Sequence, residues 1–150
     1  EYYQALGINA GKVPRSDAEI LKRSMKKIIK AIDKGYIKAC HDISNGGIAV
    51  ALAEMVIGGK GAEICLYALG SLRTDFKLFS ESNTRWIVEV KKEKEEEFKK
   101  LFEGIKIYRI GEVKGKKLVI YDGDEMKEII NLEKKTLYEI WNKRLWEEMV

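Results

Sequence analysis

The sequence predicts an α/β (α+β) domain in which helices flank a mixed β-sheet. An amphipathic helical stripe follows a Ser-x-x-Glu pattern at Ser16–Glu19, which is typical of a helix start. The run Trp86–Val90 is rich in the β-branched and aromatic residues of strands. Helical and extended patterns alternate in the order helix, strand, helix, strand, strand, helix, strand, strand, helix. No repeat or linker divides them, so residues 1–150 are expected to form a single domain.

Composition excludes several classes of function. The 28 basic residues barely exceed the 24 acidic ones, and the charges alternate along Lys91–Lys100, so neither a basic patch nor nucleic-acid binding is expected. No apolar run reaches the length of a membrane span, and a cytoplasmic location is expected. Cys40 and Cys65 lie in apolar runs without CxxC spacing, which predicts buried reduced thiols and no metal site. The high charged fraction and the single glutamine are typical of thermophile proteins.

The first elements follow from local signals. Glu1–Arg15, with two glycines and the single proline, is predicted to be irregular. Ser16 then caps a helix that ends near Gly35. The apolar stripe of this helix consists of Ile20, Leu21, Met25, Ile28, Ile29 and Ile32.

The next segment predicts a strand, a loop, a helix and a strand. Tyr36–Cys40 is a short strand that leads into the polar turn His41–Gly47. Ile48–Val56 is apolar on nearly all sides, which is typical of a helix packed against a sheet. Ala62–Leu66 is a second strand candidate.

The remainder of the chain is less regular at first. Gly70–Leu78 carries no clear pattern, and the strand Trp86–Val90 is followed by a helix over Glu93–Glu103, with apolar contacts at Phe98, Leu101 and Phe102. Ile105–Val113 and Lys117–Tyr121 are predicted to pair around a turn at Gly115, and Leu132–Met149 forms the last helix. Its apolar residues, which we expect to pack in the core, include Leu137, Ile140, Trp141, Leu145 and Trp146.

The first candidate site is the predicted turn between a strand and a helix. A helix N-terminus suits an anion, and paired glycines let backbone approach a ligand closely. From spacing alone, an ordinary turn in which a polar side chain caps the helix remains the simpler interpretation. The candidate binding residues here are His41, Asp42, Ser44, Asn45, Gly46 and Gly47.

The second candidate site lies before the strand Trp86–Val90, where hydroxyl, carboxylate and amide groups follow Phe79. Such groups could hold a polar ligand, although a solvated turn is the simpler interpretation. The residues are Ser80, Glu81, Ser82 and Asn83.

Asp122–Asp124 is better explained by a hairpin turn than by a cation site. Cys40 and His41 point to opposite faces of a strand, so no Cys–His pair is expected.

Taken together, the two segments resemble a known family. His41–Glu54, HDISNGGIAVALAE, resembles the signature HD(I/V)S(D/E/N)GG(L/I)AVALAE of phosphoribosylformylglycinamidine synthases of the large-subunit type. Leu78–Arg85, LFSESNTR, resembles the family segment LFSESQSR, and Glu1–Tyr3 resembles the end of its GGSEY stretch. The sequence of the first motif resembles the motif in the second of the two repeats of that enzyme. Asn83 stands where the family usually has glutamine.

The resemblance implies a C-terminal domain similar to that of aminoimidazole ribonucleotide (AIR) synthetase, within an ATP-dependent ligase of purine biosynthesis. That enzyme uses ATP (released as ADP) and Mg²⁺ to phosphorylate a formamide oxygen, which ammonia from a glutaminase subunit then displaces. The implied partners are the enzyme's own N-terminal domains, the glutaminase and a small accessory subunit. No catalytic residue or metal ligand is expected in this chain, which begins at Glu1 rather than Met, and we expect it to be inactive alone.

Two alternatives stay open at this stage. The chain could be a non-catalytic module that binds a structural or regulatory nucleotide. It could also be the equivalent domain of a sibling enzyme, such as AIR synthetase, selenophosphate synthetase or a hydrogenase-maturation enzyme. Homodimerisation of the chain is likewise open.

Overall fold

A computed structural model describes the backbone of residues 1–11 and 13–148, with side chains described up to residue 143. The helices and strands alternate, as predicted. The α-helices are α1 Tyr2–Ala5, α2 Ala18–Asp33, α3 Gly47–Gly58, α4 Thr74–Phe79, α5 Glu95–Leu101 and α6 Lys134–Glu148. The strands are β1 Ile37–Asp42, β2 Ala62–Cys65, β3 Trp86–Val90, β4 Gly111–Val113, β5 Lys117–Asp122 and β6 Lys127–Glu133. Short 3₁₀ turns span Leu66–Leu69 and Lys92–Lys94.

The strands form two sheets. β1 pairs antiparallel with β3, and the other four strands have the order β4-β2-β5-β6. In the larger sheet β2 runs parallel to β5, and its other pairs are antiparallel. The mixed α/β class is thus confirmed, but the strands are divided between two sheets.

The chain folds as two compact units. The first comprises Glu1–Ala51 and Leu78–Tyr108, and the second comprises Leu52–Lys77 and Arg109–Val150. Both candidate segments belong to the first unit. That residues 1–150 act as a single domain remains a prediction.

The start of α2 lies one residue beyond the predicted position. Asp17, not Ser16, is the N-cap, and its carboxylate accepts hydrogen bonds from the amides of Glu19 and Ile20 at 3.0 Å each. The Ser16 hydroxyl instead accepts a bond from the side chain of Asn83. The helix ends at Asp33, and Gly35 follows with φ of 65°, as the sequence predicts.

The core of the first unit forms where α2 meets α5. Ile28 and Ala31 pack with Phe98 and Phe102, whose rings stack at 4.3 Å between centroids. Two basic side chains of α2 satisfy carbonyls at the end of α5. Arg23 donates to the Gly104 carbonyl at 2.9 Å, and Lys27 donates to that of Glu103 at 2.7 Å.

The predicted hairpin of β4 with β5 is wrong. Ile105–Ile110 is not strand, and β2 lies between β4 and β5 as the partner of both. Gly111 permits the close approach of β4 to β2, because a Cβ there would collide with the Glu63 carbonyl. The true hairpin partner of β5 is β6, and the turn spans residues 123–126, directly after Asp122. This agrees with the preference for a hairpin turn over a cation site at Asp122–Asp124.

Three elements are absent from the sequence prediction. α1 lies in the segment predicted to be irregular, α4 in the stretch without a pattern, and β6 overlaps the start of the predicted last helix. The β1 strand also extends two residues further than predicted, to Asp42. Tertiary contacts decide such short elements more than local propensity does.

The predicted burial is wrong at several positions. Cys40 is exposed and Cys65 is half-buried, although both are free thiols as expected. Trp141 and Ile140 of α6 are exposed, whereas Leu137 is buried. Leu145 and Trp146 lie outside the described side chains, and Met149 lies outside the described residues. None of the described helices is long and apolar enough to cross a membrane.

Candidate functional site

The first candidate segment is divided between a strand and a loop. His41 and Asp42 belong to β1, where they pair with Ile87 and Trp86 of β3. The predicted turn therefore starts at Ile43, whose amide donates to the Arg85 carbonyl at 3.0 Å and continues the ladder. Because β1 and β3 are neighbours, the loop before α3 and the segment before β3 emerge side by side.

The two glycines make this junction possible. Gly46 and Gly47 both have positive φ, 76° and 67°, a region that other residues enter only under strain. A Cβ on Gly47 would lie 2.6 Å from the Leu78 carbonyl oxygen and 2.8 Å from backbone atoms of Phe79. Gly47 therefore allows the backbones of the two candidate segments to pack directly together.

The amides of both glycines are already bonded. The Gly46 amide donates to Glu81 Oε1 at 2.8 Å in a partly buried position, and the Gly47 amide donates to the Ser44 carbonyl at 3.1 Å. Neither amide is therefore free to bind an anion in this conformation, and ligand binding by the residues of the two segments remains a prediction. A carboxylate of the chain itself occupies the place of the anion, as the partial positive charge of the helix N-terminus favours.

The second candidate segment is braced by an arginine. Arg85 donates from Nε to the Ser82 carbonyl at 2.9 Å and from Nη2 to the Ser80 carbonyl. The Ser80 and Ser82 hydroxyls lie 2.9 Å apart. Burial lowers the pKa of Arg85, yet a guanidinium remains charged at neutral pH. These bonds curl the segment so that Glu81 faces the Gly46 amide.

Asn83 bonds to the segment that precedes α2. Its amide nitrogen donates to the Ser16 hydroxyl at 2.8 Å, so it ties the segment to the residue that precedes the α2 cap. The neighbouring Thr84 has φ of 63°, and its buried hydroxyl has no partner among the described residues. The structure thus joins the two predicted segments through Gly46 and Glu81, whereas Asn83 bonds to Ser16.

The exposed polar groups of the site are those that another molecule could reach. They are the side chains of Asp42, Ser44, Asn45, Ser82 and Asn83. His41 is half-buried, and its Nδ1 lies 2.6 Å from the Asp42 carbonyl oxygen. In the described part of the chain, no three His, Cys, Asp or Glu side chains are grouped to hold a metal ion.

Cys40 lacks the features of a nucleophile. Although Cys40 is exposed, partial desolvation of its sulfur, together with the charge of Asp42, raises the pKa of the thiol, which disfavours the reactive thiolate. The alternating burial of β1 places Cys40 and His41 on opposite faces, as predicted. The sequence reasoning missed Ser16, Thr84 and Arg85 as site residues, although the last two close the LFSESNTR motif.

The chain is similar to known proteins over most of its length. Residues 3–123 match the family described as AIR synthase related protein, C-terminal domain. The chain is 43% identical over 145 residues to phosphoribosylformylglycinamidine synthase subunit PurL of Thermoanaerobacter pseudethanolicus, covering 94% of this chain and 19% of that protein. It is 37% identical to the PurL subunit of Thermococcus sibiricus, covering 95% of this chain and 20% of that protein. It thus spans about a fifth of these relatives' length.

Solved structures show the same fold. Thermotoga maritima PurL complexed with FGAR superposes with a TM-score of 0.74 and 19% identity, covering 88% of this chain and 23% of that one. The PurLQS structure from the same organism gives a TM-score of 0.70 and 19% identity over 90% of this chain and 23% of that one. The Thermotoga maritima PurL complex with ATP gives a TM-score of 0.66 and 19% identity, covering 77% of this chain and 21% of that one. From its sequence match and from this fold, the chain belongs to the family of AIR synthase related proteins, C-terminal domain.

Proposed function

We propose that this chain serves as the C-terminal domain of a PurL-type phosphoribosylformylglycinamidine synthase, in the ATP-dependent amidation of formylglycinamide ribonucleotide. The hydrogen bond from the Gly46 amide to Glu81 carries this proposal, because it joins the two motif segments into one surface. Relatives 37–43% identical over nearly the whole chain bear the PurL name, which supports the assignment. The same relatives favour a synthase over the sibling enzymes.

The contribution of the chain is positioning rather than chemistry. Arg85 braces the second segment and Glu81 bonds that segment to the first. Asp42, Ser44 and Asn45 remain exposed near the start of α3. In the complete enzyme ATP with Mg²⁺ supplies the phosphoryl group that activates the amide oxygen. The Gly46 and Gly47 amides do not fit a phosphate in this conformation, because both are bonded within the chain.

The proposed partners follow from the length of the relatives. The N-terminal domains of the same enzyme would supply the catalytic groups. A glutaminase subunit would supply ammonia, and a small accessory subunit would complete the assembly. The PurLQS structure of Thermotoga maritima supports partner subunits of this kind. A cytoplasmic location is part of the same proposal.

A chimera tests this function. The C-terminal fifth of Thermoanaerobacter pseudethanolicus PurL would be replaced by this chain, and ammonia-dependent formation of the amidine product would be measured. We expect activity from the chimera and loss of it in the Gly47→Val chimera, with Lys135→Glu on α6 as the control. A folded but inactive chimera, with the parent enzyme active, would contradict the proposal.

A second candidate is a module that binds a nucleotide for a structural purpose. The carboxylate of Glu81 at the Gly46 amide favours it, because a position that attracts one anion can accept another once the first is removed. On this view ADP with Mg²⁺ binds Glu81→Ala more tightly than the unaltered chain. Absence of ADP binding to both proteins, measured by calorimetry, would exclude the module and leave the synthase proposal intact. Equal binding to both would place the nucleotide away from Glu81.

A further inference from the structure

Helix α2 presents a second apolar face that is about half exposed in the described part of the chain. Its inner face is buried through Ser24, Ile28 and Ala31. Next to it, Met25, Ile29 and Ile32 are 47%, 54% and 48% exposed, respectively. The predicted apolar stripe includes Ile28 together with Met25, Ile29 and Ile32, but only part of that stripe is buried in the core.

This outer face of α2 has the ridge and groove of a surface that packs against another helix. Leu21, Met25 and Ile29 are spaced four residues apart and form a ridge along the helix. A shallow groove of about 360 Å³ runs beside the ridge and is lined by the same residues together with Ala18, Lys22 and Lys26. A neighbouring helix with its own four-residue ridge would fit this groove.

The charge along the groove defines the chemistry of the partner. Lys22 and Lys26 form one edge and are both exposed. Arg23 and Lys27, on another side of α2, already bond to carbonyls at the end of α5 and are not available. An apolar floor with a basic edge complements a helix that has an apolar ridge and an acidic edge.

Two other occupants fit less well. An antiparallel pair of α2 helices from two copies would bring both lysine edges together, which like charge disfavours. An anionic membrane requires a broad apolar face to bury. Here the inner half of the apolar surface is already packed against Phe98 and Phe102, so only a narrow ridge remains.

We propose that the outer face of α2, defined by Leu21, Lys22, Met25, Lys26 and Ile29, is a docking surface for an acidic amphipathic helix of a partner domain or subunit. This proposal goes beyond the synthase assignment and does not depend on nucleotide binding. It requires only that α2 keeps its place in the first unit.

The test uses two labelled helical peptides of about 14 residues, or roughly four turns. Both carry leucines four residues apart. One has glutamates along the edge of the ridge, and its twin has lysines. Fluorescence anisotropy would measure their binding to the unaltered chain. We expect the acidic peptide to bind with a Kd below about 1 mM and at least about tenfold more tightly than the twin.

Variants locate the binding site. Ile29→Glu should abolish binding of the acidic peptide, and Lys22→Glu with Lys26→Glu should reverse the preference between the peptides. Lys135→Glu, an exposed lysine of α6, is the matched control and should change nothing. Circular dichroism would confirm that each variant remains folded, which is expected because the altered side chains are exposed.

Several outcomes would overturn the proposal. They are no binding of the acidic peptide, equal binding of the two peptides, or binding unchanged in the charge-reversed variant. Sedimentation that shows a dimer dispersed by Ile29→Glu would assign the face to a second copy. Binding to phosphatidylglycerol vesicles in preference to the acidic peptide would assign it to a membrane.

Discussion

Lys77 and Asp122 form an ion pair whose side chains are only 4% and 6% exposed, with Nζ 2.7 Å from Oδ1. The second oxygen of Asp122 accepts a hydrogen bond from the Thr74 hydroxyl at 2.6 Å. The network connects α4 to the end of β5 within the second unit. Burial would raise the pKa of Asp122, but the bonds from Lys77 and Thr74 outweigh it and hold that pKa below the ordinary value.

Removing one partner of this pair should destabilise the protein strongly. Asp122→Asn would leave the Lys77 ammonium buried without a counterion, at a cost of about 3–5 kcal/mol in the free energy of unfolding. Lys77→Met combined with Asp122→Leu should recover most of that loss, since an apolar pair carries no desolvation penalty. Urea denaturation of the single and double variants measures the loss of unfolding free energy and its recovery. A single variant as stable as the parent would show that the pair contributes nothing.

The same pair predicts a pH dependence. Because the folded pKa of Asp122 lies below the ordinary carboxyl value of 3.8, its stabilisation is complete above that value. It is lost as pH falls through the folded pKa, where the carboxylate becomes protonated. The difference in unfolding free energy between the parent and Asp122→Asn should therefore shrink as the medium is made more acidic. A difference that stays constant to the lowest pH would contradict this origin.

Substitution of Gly47 should be far more damaging than substitution of Asn83. Valine at Gly47 would collide with the backbone of Leu78 and Phe79 and would adopt a left-handed conformation, at a cost of about 2–5 kcal/mol. Asn83→Ala loses one exposed hydrogen bond to Ser16, about 0.5–1.5 kcal/mol. Thermal unfolding of both variants, compared with the parent, measures the difference. Equal losses would refute the close packing at Gly47.

The position of the α2 cap can be tested in the same way. Asp17→Ala should lower the unfolding free energy by about 1 kcal/mol, because two helix amides lose their acceptor. Ser16→Ala should cost less, since its hydroxyl bonds only to Asn83. Chemical denaturation distinguishes the two positions. A larger loss for Ser16→Ala would restore the capping box that the sequence pattern indicates.

Much of the candidate site follows from the sequence, but its bonding does not. The glycine pair, the polar residues and the two motif segments are readable in the chain, and the family that they resemble is the family found by comparison. The bond from Gly46 to Glu81 spans 35 residues and depends on β1 pairing with β3. No local sequence pattern predicts that strand pairing. The sequence therefore does not show that the Gly46 amide is bonded to Glu81.

By itself the sequence determined the elements whose signals are local. The stop of α2 at Gly35, the helix α3 and the strand β3 depend on a glycine with positive φ, an apolar run and a β-branched run, each contained within a few residues. Only the tertiary structure decided the insertion of β2 between β4 and β5, the buried pair of Lys77 and Asp122, and the exposed half of α2. These features depend on which distant residues meet. Periodicity shows that a face is apolar, but not how much of that face a neighbouring element covers.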